Sequence, residues 1–117
     1  MIVSEQSFSA EKPQEFWINK LFRNRYEIGY NENIEKIQRT FEDKTVEEYK
    51  YDSYIDTVKL NTYDETVAAL IALKYTFADE ISLLKKLQKG IDVEETTAYE
   101  TFVEKCKQFA RDYWRIK

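Results

Sequence analysis

The spacing of apolar residues changes once along this 117-residue chain, and that change constrains the fold more than any other feature. After residue 62 apolar side chains recur three and four positions apart, the spacing of one helix face; before it, they alternate, the spacing of a strand. Two glycines and one proline in the whole chain suit long regular elements with short connections. The expectation is therefore an α+β fold, with a small antiparallel β-meander in the N-terminal half packed against a three-helix C-terminal half. No linker composition separates the halves, so 1–117 reads as a single domain. Within it, 1–12 is a loose N-terminal arm, 13–61 the β-rich part and 62–117 the helical part.

In the helical part, Thr62 followed by Glu65 forms a capping-box pattern. Behind it Val67, Ala68, Leu70, Ile71 and Leu73 leave the helix apolar nearly all round, which predicts the central, most buried one. Thr76 and Asp79 mark a second start. That helix carries Phe77, Ile81, Leu84 and Leu87 and stops at Gly90, a natural left-handed C-terminal residue. Asp92 and Glu95 open a third, in which Tyr99, Phe102, Val103, Cys106, Phe109, Ala110 and Tyr113 form one long stripe. Glu94, Glu95 and Glu100 sit in its first turns and Arg111, Arg115 and Lys117 in its last, complementing the helix dipole.

In the β-rich part, Tyr26, Ile28 and Tyr30 alternate over residues 25–30. Residues 45–60 are rich in Val, Tyr, Thr and Ile, with Tyr49, Tyr51, Ser53, Ile55 and Thr57 on one side and Tyr54, Asp56, Val58 and Leu60 on the other. Residues 34–41 fit either element. The hairpin-like Glu42-Asp43-Lys44 before a β-rich run favours a strand. Pro13 is placed to open a short helix through Phe16, Trp17, Leu21 and Phe22, although Trp17-Ile18 also suits a first strand.

Composition narrows the chemistry. There is no histidine, which removes His metal ligands, Ser-His and Cys-His pairs and the usual neutral-pH base. The single Cys106 excludes an internal disulfide and a Cys-cluster zinc site, and its place on the third helix's apolar stripe reads as core. No cofactor is expected. Adjacent acids such as Asp79-Glu80 and Glu94-Glu95 point about 100° apart on a helix and fit capping better than a paired acid/base site. No loop carries the oxygen spacing of a calcium site. The longest apolar run, Val67 to Leu73, is too short to span a bilayer, and the first residues lack a signal-peptide pattern. An intracellular, cytoplasmic location away from the membrane is the expectation.

What remains are contact residues. Lys20, Arg23 and Arg25 lie beside Trp17, Phe22 and Tyr26, a mixture able to stack on and grip single-stranded nucleic acid. The net charge of −4 and the flanking Glu15 and Glu27 argue against that and for a solvated sheet edge. Tyr49, Tyr51 and Tyr54 offer rigid amphipathic contacts of the kind enriched at protein interfaces. Trp114, near the C-terminus, caps the core or extends an apolar patch. Trp17, Phe22, Arg23, Arg25, Tyr49, Tyr51, Tyr54 and Trp114 are thus the interaction candidates.

Three segments carry a resemblance: Glu48-Tyr49-Lys50-Tyr51-Asp52-Ser53-Tyr54; the stretch from Tyr63-Asp64-Glu65 through Leu70-Ile71-Ala72-Leu73-Lys74-Tyr75-Thr76-Phe77-Ala78-Asp79-Glu80 to Leu84; and Tyr99-Glu100-Thr101-Phe102-Val103-Glu104-Lys105-Cys106-Lys107. Together, over residues 46–114, the chain resembles small proteins encoded in the tail region of phages and prophages of Gram-positive gut bacteria. The segment through Phe22 lies outside that likeness. The resemblance implies a virion-associated or assembly-related protein without catalysis, acting on a phage structural component or a host protein. A homo-oligomer is equally allowed, since amphipathic helices and aromatic sheets both pair. The alternative is a phage-encoded inhibitor of a host defence protein, its acids gathered to block a basic groove. A carboxylate-dependent hydrolase would instead require two facing acids in a deep pocket.

Overall fold

A computed structural model of the chain describes residues 2–116, with side chains described for 2–115. The element order is β1 (Val3–Ser9), β2 (Phe16–Phe22), β3 (Arg25–Phe41), β4 (Lys44–Lys59), α1 (Tyr63–Ala72), α2 (Phe77–Lys89) and α3 (Val93–Ile116). Sheet precedes helices, so the fold class is α+β. The chain divides into two compact units, residues 1–58 and 59–117.

The first unit is a four-stranded antiparallel sheet in the order β1-β4-β3-β2. Residues 25–30 and 34–41, expected as separate strands of the meander, are one strand, β3, which lies between β2 and β4, and β1 returns to pair with β4. This overturns the loose arm over 1–12: Val3 faces Ile55 and Ser9 faces Tyr49 along a continuous ladder. The strand is mostly exposed, so its backbone hydrogen bonds hold it and no apolar alternation is needed. The short helix after Pro13 is likewise replaced, by strand β2. Phe16 and Ile18 oppose Tyr30 and Ile28 on one face, while Trp17 opposes Gly29 on the other. A run of aromatic and β-branched residues fits this pleated, half-buried surface, and Pro13 stands before it, where no ladder bond is lost.

Two turns shape the sheet. Glu42 and Asp43 both have positive φ, 47° and 64°, as the central residues of a two-residue hairpin turn with the strands' own twist require. Arg23 also lies at positive φ, 55°, between β2 and β3, beside a register shift between Lys20 and Phe22.

Inside β3, Asn33 sits at φ 54°, and there the alternation slips by one residue. Glu32 bonds Tyr54, which faces Ser4 of β1. Arg39 lies over Phe8 and pairs with Glu48, and Phe8 points to the same side as Ser4. Glu32 and Arg39 thus share a face across an odd number of steps, which a regular strand forbids. Asn33 absorbs the extra residue in the manner of a bulge, its amide donating to Asp52 at 2.9 Å.

The second unit is three helices. Thr62 caps α1, accepting from the Glu65 amide, and Glu65 reaches back to the Asn61 amide at 3.1 Å. Thr76 and Asp79 form a complete capping box on α2, and Gly90 ends it at φ 68°. There the Gly90 amide donates to Leu87 and the Ile91 amide to Lys86, a Schellman closure. Asp92, at φ 50°, precedes α3, its carboxylate paired with Lys86 at 3.3 Å. Lys117, expected in the last turn of α3, lies outside the described residues.

Helix α1 is the most heavily buried of the three for its length, as expected, but the central one is α3, which packs against both of the others. Helix α1 buries Thr66, Val67, Leu70 and Ile71 but leaves Asp64, Glu65, Ala68 and Ala72 in water, so its alanines do not extend the core around the whole cylinder. The α3 stripe buries Tyr99, Phe102, Cys106 and Ala110. Tyr75 meets the edges of Tyr99 and Phe102 at 5.1 and 5.5 Å.

Candidate functional site

Strand pairing leaves part of the sheet as a two-stranded ribbon. Strand β1 covers β4 only over Tyr49–Ile55, and β2 covers β3 only over Arg25–Tyr30. Beyond those limits β3 runs on to Phe41, and β4 begins at Lys44. A ribbon of this kind has no third strand and little core of its own. Residues 38–47 are all exposed.

Side chains along the ribbon alternate between charge and apolar surface. Lys36 pairs with Glu47 at 3.0 Å and Arg39 with Glu48 at 3.3 Å. The Glu47 carboxylate, by hydrogen bond first and charge second, raises the Lys36 ammonium above its ordinary value. The Arg39 guanidinium also rests 4.4 Å from the centre of the Phe8 ring, fixing the ribbon's base to β1. At the tip, Phe41 is 69% and Val46 44% exposed. Together with Arg39, Thr40 and Glu48 they line a concavity of about 470 Å³.

Behind the ribbon lies a fixed base. The Tyr54 hydroxyl donates to Glu32 at 2.9 Å and Tyr30 to the other oxygen of Glu32 at 3.3 Å. Tyr54 and Tyr30 stack at 6.2 Å, and Tyr30 meets Phe16 at 5.1 Å. The bond to Glu32, then burial, raises the Tyr54 phenol above its ordinary value. On the opposite face Ser53 donates to Asn31 at 2.7 Å, and Asn31 donates to the Gln14 carbonyl at 2.7 Å. That network ties the segment before β2 to β3 and β4.

The sequence candidates therefore separate. Tyr49 and Tyr51 are half-buried on the Ser53 side, opposite Ser9 and Ser7, and Tyr54 lies on the other side. Phe22, Arg23 and Arg25 come together at the β2–β3 turn: Phe22 faces Arg25, and the Arg23 guanidinium sits 5.2 Å from the Phe22 ring. Trp17 is away from them, against Gly29. Trp114 is engaged within the helical unit, its indole N–H donating to Thr66 at 2.8 Å.

Sequence reasoning missed Phe41, Val46, Arg39 and Phe8 as a group. The signal was present in Phe41 standing next to the Glu42-Asp43 turn, where an apolar residue has little to pack against. Among the described residues no group of His, Cys, Asp and Glu side chains could hold a metal ion, and no helix is long and apolar enough to cross a membrane. Comparison with protein-family models, curated proteins and solved structures returns no match to this chain.

Proposed function

We propose that this chain is a non-enzymatic accessory protein of a phage or prophage that works by docking its β3–β4 ribbon onto a structural component of the tail or baseplate. The observation that carries the reading is the apolar tip of that ribbon. Phe41 and Val46 stand in water at the end of an arm with no core of its own, and a partner that covers them gains the hydrophobic term their present exposure forfeits. The charged pairs Lys36–Glu47 and Arg39–Glu48 flank the tip and suit it to a polar rim. The resemblance of residues 46–114 to tail-region proteins supplies the setting.

The inhibitor reading asks for acids gathered on one face. Glu47, Glu48, Asp92, Glu95, Glu104 and Asp112 each lie within 4 Å of a lysine or arginine, so these six acids do not form an unpaired acidic face.

The test is a pull-down from an induced lysate with tagged wild-type chain and with the Phe41→Ser/Val46→Ser double variant, followed by identification of what is retained. Retention of a tail or baseplate protein by the wild type, lost in the variant, is the expected result. Retention of no phage structural component, or equal retention by both proteins, overturns the reading.

A further inference from the structure

The turn between β2 and β3 gathers exposed apolar and basic side chains. Leu21 is 54% and Phe22 66% exposed, and Lys20, Arg23 and Arg25 are exposed around them. The backbone departs from regular pairing to arrange them. Lys20 faces Tyr26 and Phe22 faces Arg25, so Leu21 is an extra residue without a partner in the ladder. Alternation sets Leu21 on the face opposite Lys20. Phe22 shares the face of Arg25, which is opposite that of Tyr26 and therefore also opposite Lys20. The bulge thus brings Leu21 and Phe22 to one side of the hairpin, where a regular strand would send them to two. Arg23 stands at φ 55°, a region that Gly or Asn enters more readily, and holds its guanidinium 5.2 Å from the centre of the Phe22 ring.

The charges here are also unlike those elsewhere. Lys36, Arg39, Lys86, Lys107 and Arg115 each pair with a carboxylate. Lys20, Arg23 and Arg25 pair with no carboxylate among the described residues. No acid occurs from residue 20 to residue 26, and the next ones along the chain are Glu15 and Glu27. The net charge of −4 conceals a local excess of cations around two adjacent apolar side chains.

We infer that the β2–β3 turn is a membrane-surface contact, which sets Leu21 and Phe22 into the interface of an anionic bilayer while Lys20, Arg23 and Arg25 meet its headgroups. Two requirements select that occupant. The unpaired cations call for a negative partner. The apolar pair calls for one with an apolar interior within a side chain's reach of that charge. A bilayer supplies both, and its fluid interface needs no pocket shaped to fit. Lysine and arginine stems lie along the apolar layer and keep their heads among the phosphates. Single-stranded nucleic acid meets the first requirement and stacks on Phe22, but gives Leu21 nothing to enter. The expectation of a chain away from the membrane rested on spanning length and a missing signal pattern, and neither bears on surface contact. The turn lies at the opposite end of β3 from Phe41, and the inference is independent of the ribbon's docking role.

Vesicle co-sedimentation of the full chain tests it. The expected result is binding to vesicles of three parts phosphatidylcholine to one part phosphatidylglycerol, about tenfold or more stronger than to phosphatidylcholine alone. That binding should weaken as salt rises from about 50 to about 500 mM. Leu21→Ser/Phe22→Ser and Arg23→Asn/Arg25→Gln should each lower it about tenfold, with the far-ultraviolet circular dichroism of the wild type retained. Phe41→Ser/Val46→Ser should bind as the wild type does, which separates this turn from the ribbon. Insertion itself is read from Phe22→Trp, whose emission should shift to the blue on the anionic vesicles by more than that of the wild type. No binding, equal binding to both lipids, full binding by both turn variants, loss of binding in the ribbon variant, or no extra shift in Phe22→Trp overturns the inference. So does a single-stranded oligonucleotide that binds the same residues more tightly, read by competition with the anionic vesicles.

Discussion

The indole of Trp17 occupies the space above Gly29 that any side chain there would need. A Cβ built on Gly29 would stand 2.1 Å from Trp17 Cε2. The two residues face each other across β2 and β3, so the ring lies flat on the bare backbone opposite it. Such a cross-strand aromatic compensates for the glycine's missing side chain and pins the register.

Gly29→Ala should therefore destabilise the sheet unit by about 1–3 kcal/mol through overpacking. The same change in a Trp17→Ala background should be near neutral, because the clash has gone. A double-mutant cycle in urea, following the denaturation midpoint, measures that coupling. Additive effects would show that the ring moves aside freely.

The ribbon tip holds two ordinary residues in left-handed conformations, Glu42 and Asp43. Replacing them with Asn and Gly, which adopt that region readily, should stabilise the sheet unit by about 1 kcal/mol. Glu42→Pro fixes φ near −65° and should destabilise it. Chemical denaturation of the two variants beside the wild type checks both signs.

Within the helical unit, the Trp114 N–H ends on Thr66 Oγ1, which itself donates to the Thr62 carbonyl at 2.9 Å. Thr66 is fully buried. Thr66→Val keeps the shape but leaves the indole N–H without its acceptor, so a loss of about 1–2 kcal/mol is expected. In a cooperative unit of this size each kcal/mol lowers Tm by about 4–8 °C, readable by calorimetry. Thr66→Ser, which restores the acceptor, should recover part of the loss.

Tyr99 gives the protein an alkaline limit. Burial first, and the bond to Glu80 second, push its phenol up to about 12 from an ordinary value of 10.0. The folded state thus holds this proton more tightly than the unfolded chain. The stabilisation is complete below pH 10 and is lost as pH rises towards 12. Tyr99→Phe should flatten that part of the stability curve, at the expense of the α2–α3 bond at neutral pH, and denaturation at pH 8 and pH 11 compares the two proteins.

At the acid end the sign reverses. The Thr76 backbone amide, and then its side chain, hold the Asp79 carboxyl below its ordinary value of 3.8. Its stabilisation of the α2 start is present above that value and fades as pH falls through the lowered one. Asp79→Ala should be less helical than wild type at neutral pH, and the difference should shrink on acidification in far-ultraviolet circular dichroism.

The helical half was readable because its signals are local. Thr62 with Glu65, Thr76 with Asp79, and Gly90 each complete hydrogen bonds within a few residues, so the sequence that specifies them is contiguous. The turn at Glu42-Asp43 was readable for the same reason. Strand β1 was not, because it is fixed by bonds to Tyr49–Ile55, far away in sequence, and the residues of β2 suit helix and strand alike until Trp17 finds Gly29. The stripe from Phe77 to Leu87 shows the other limit: periodicity reveals that a helix has an apolar side, while the direction of that side depends on where Leu83 and Glu80 find α3. The tip residue Phe41 was hidden likewise, since the reach of a hairpin beyond its neighbours is set by the lengths of all four strands.

Asn33 decides the sidedness of the arm. Because the alternation slips there, Arg39 stands over Phe8 on the flank that also carries Tyr54. Deleting that one amino acid would turn the outer ribbon over like a page, sending Arg39 to the reverse side with its composition otherwise intact. A single backbone irregularity thus acts as the hinge pin of a two-faced blade, and a partner that reads one face would meet the other.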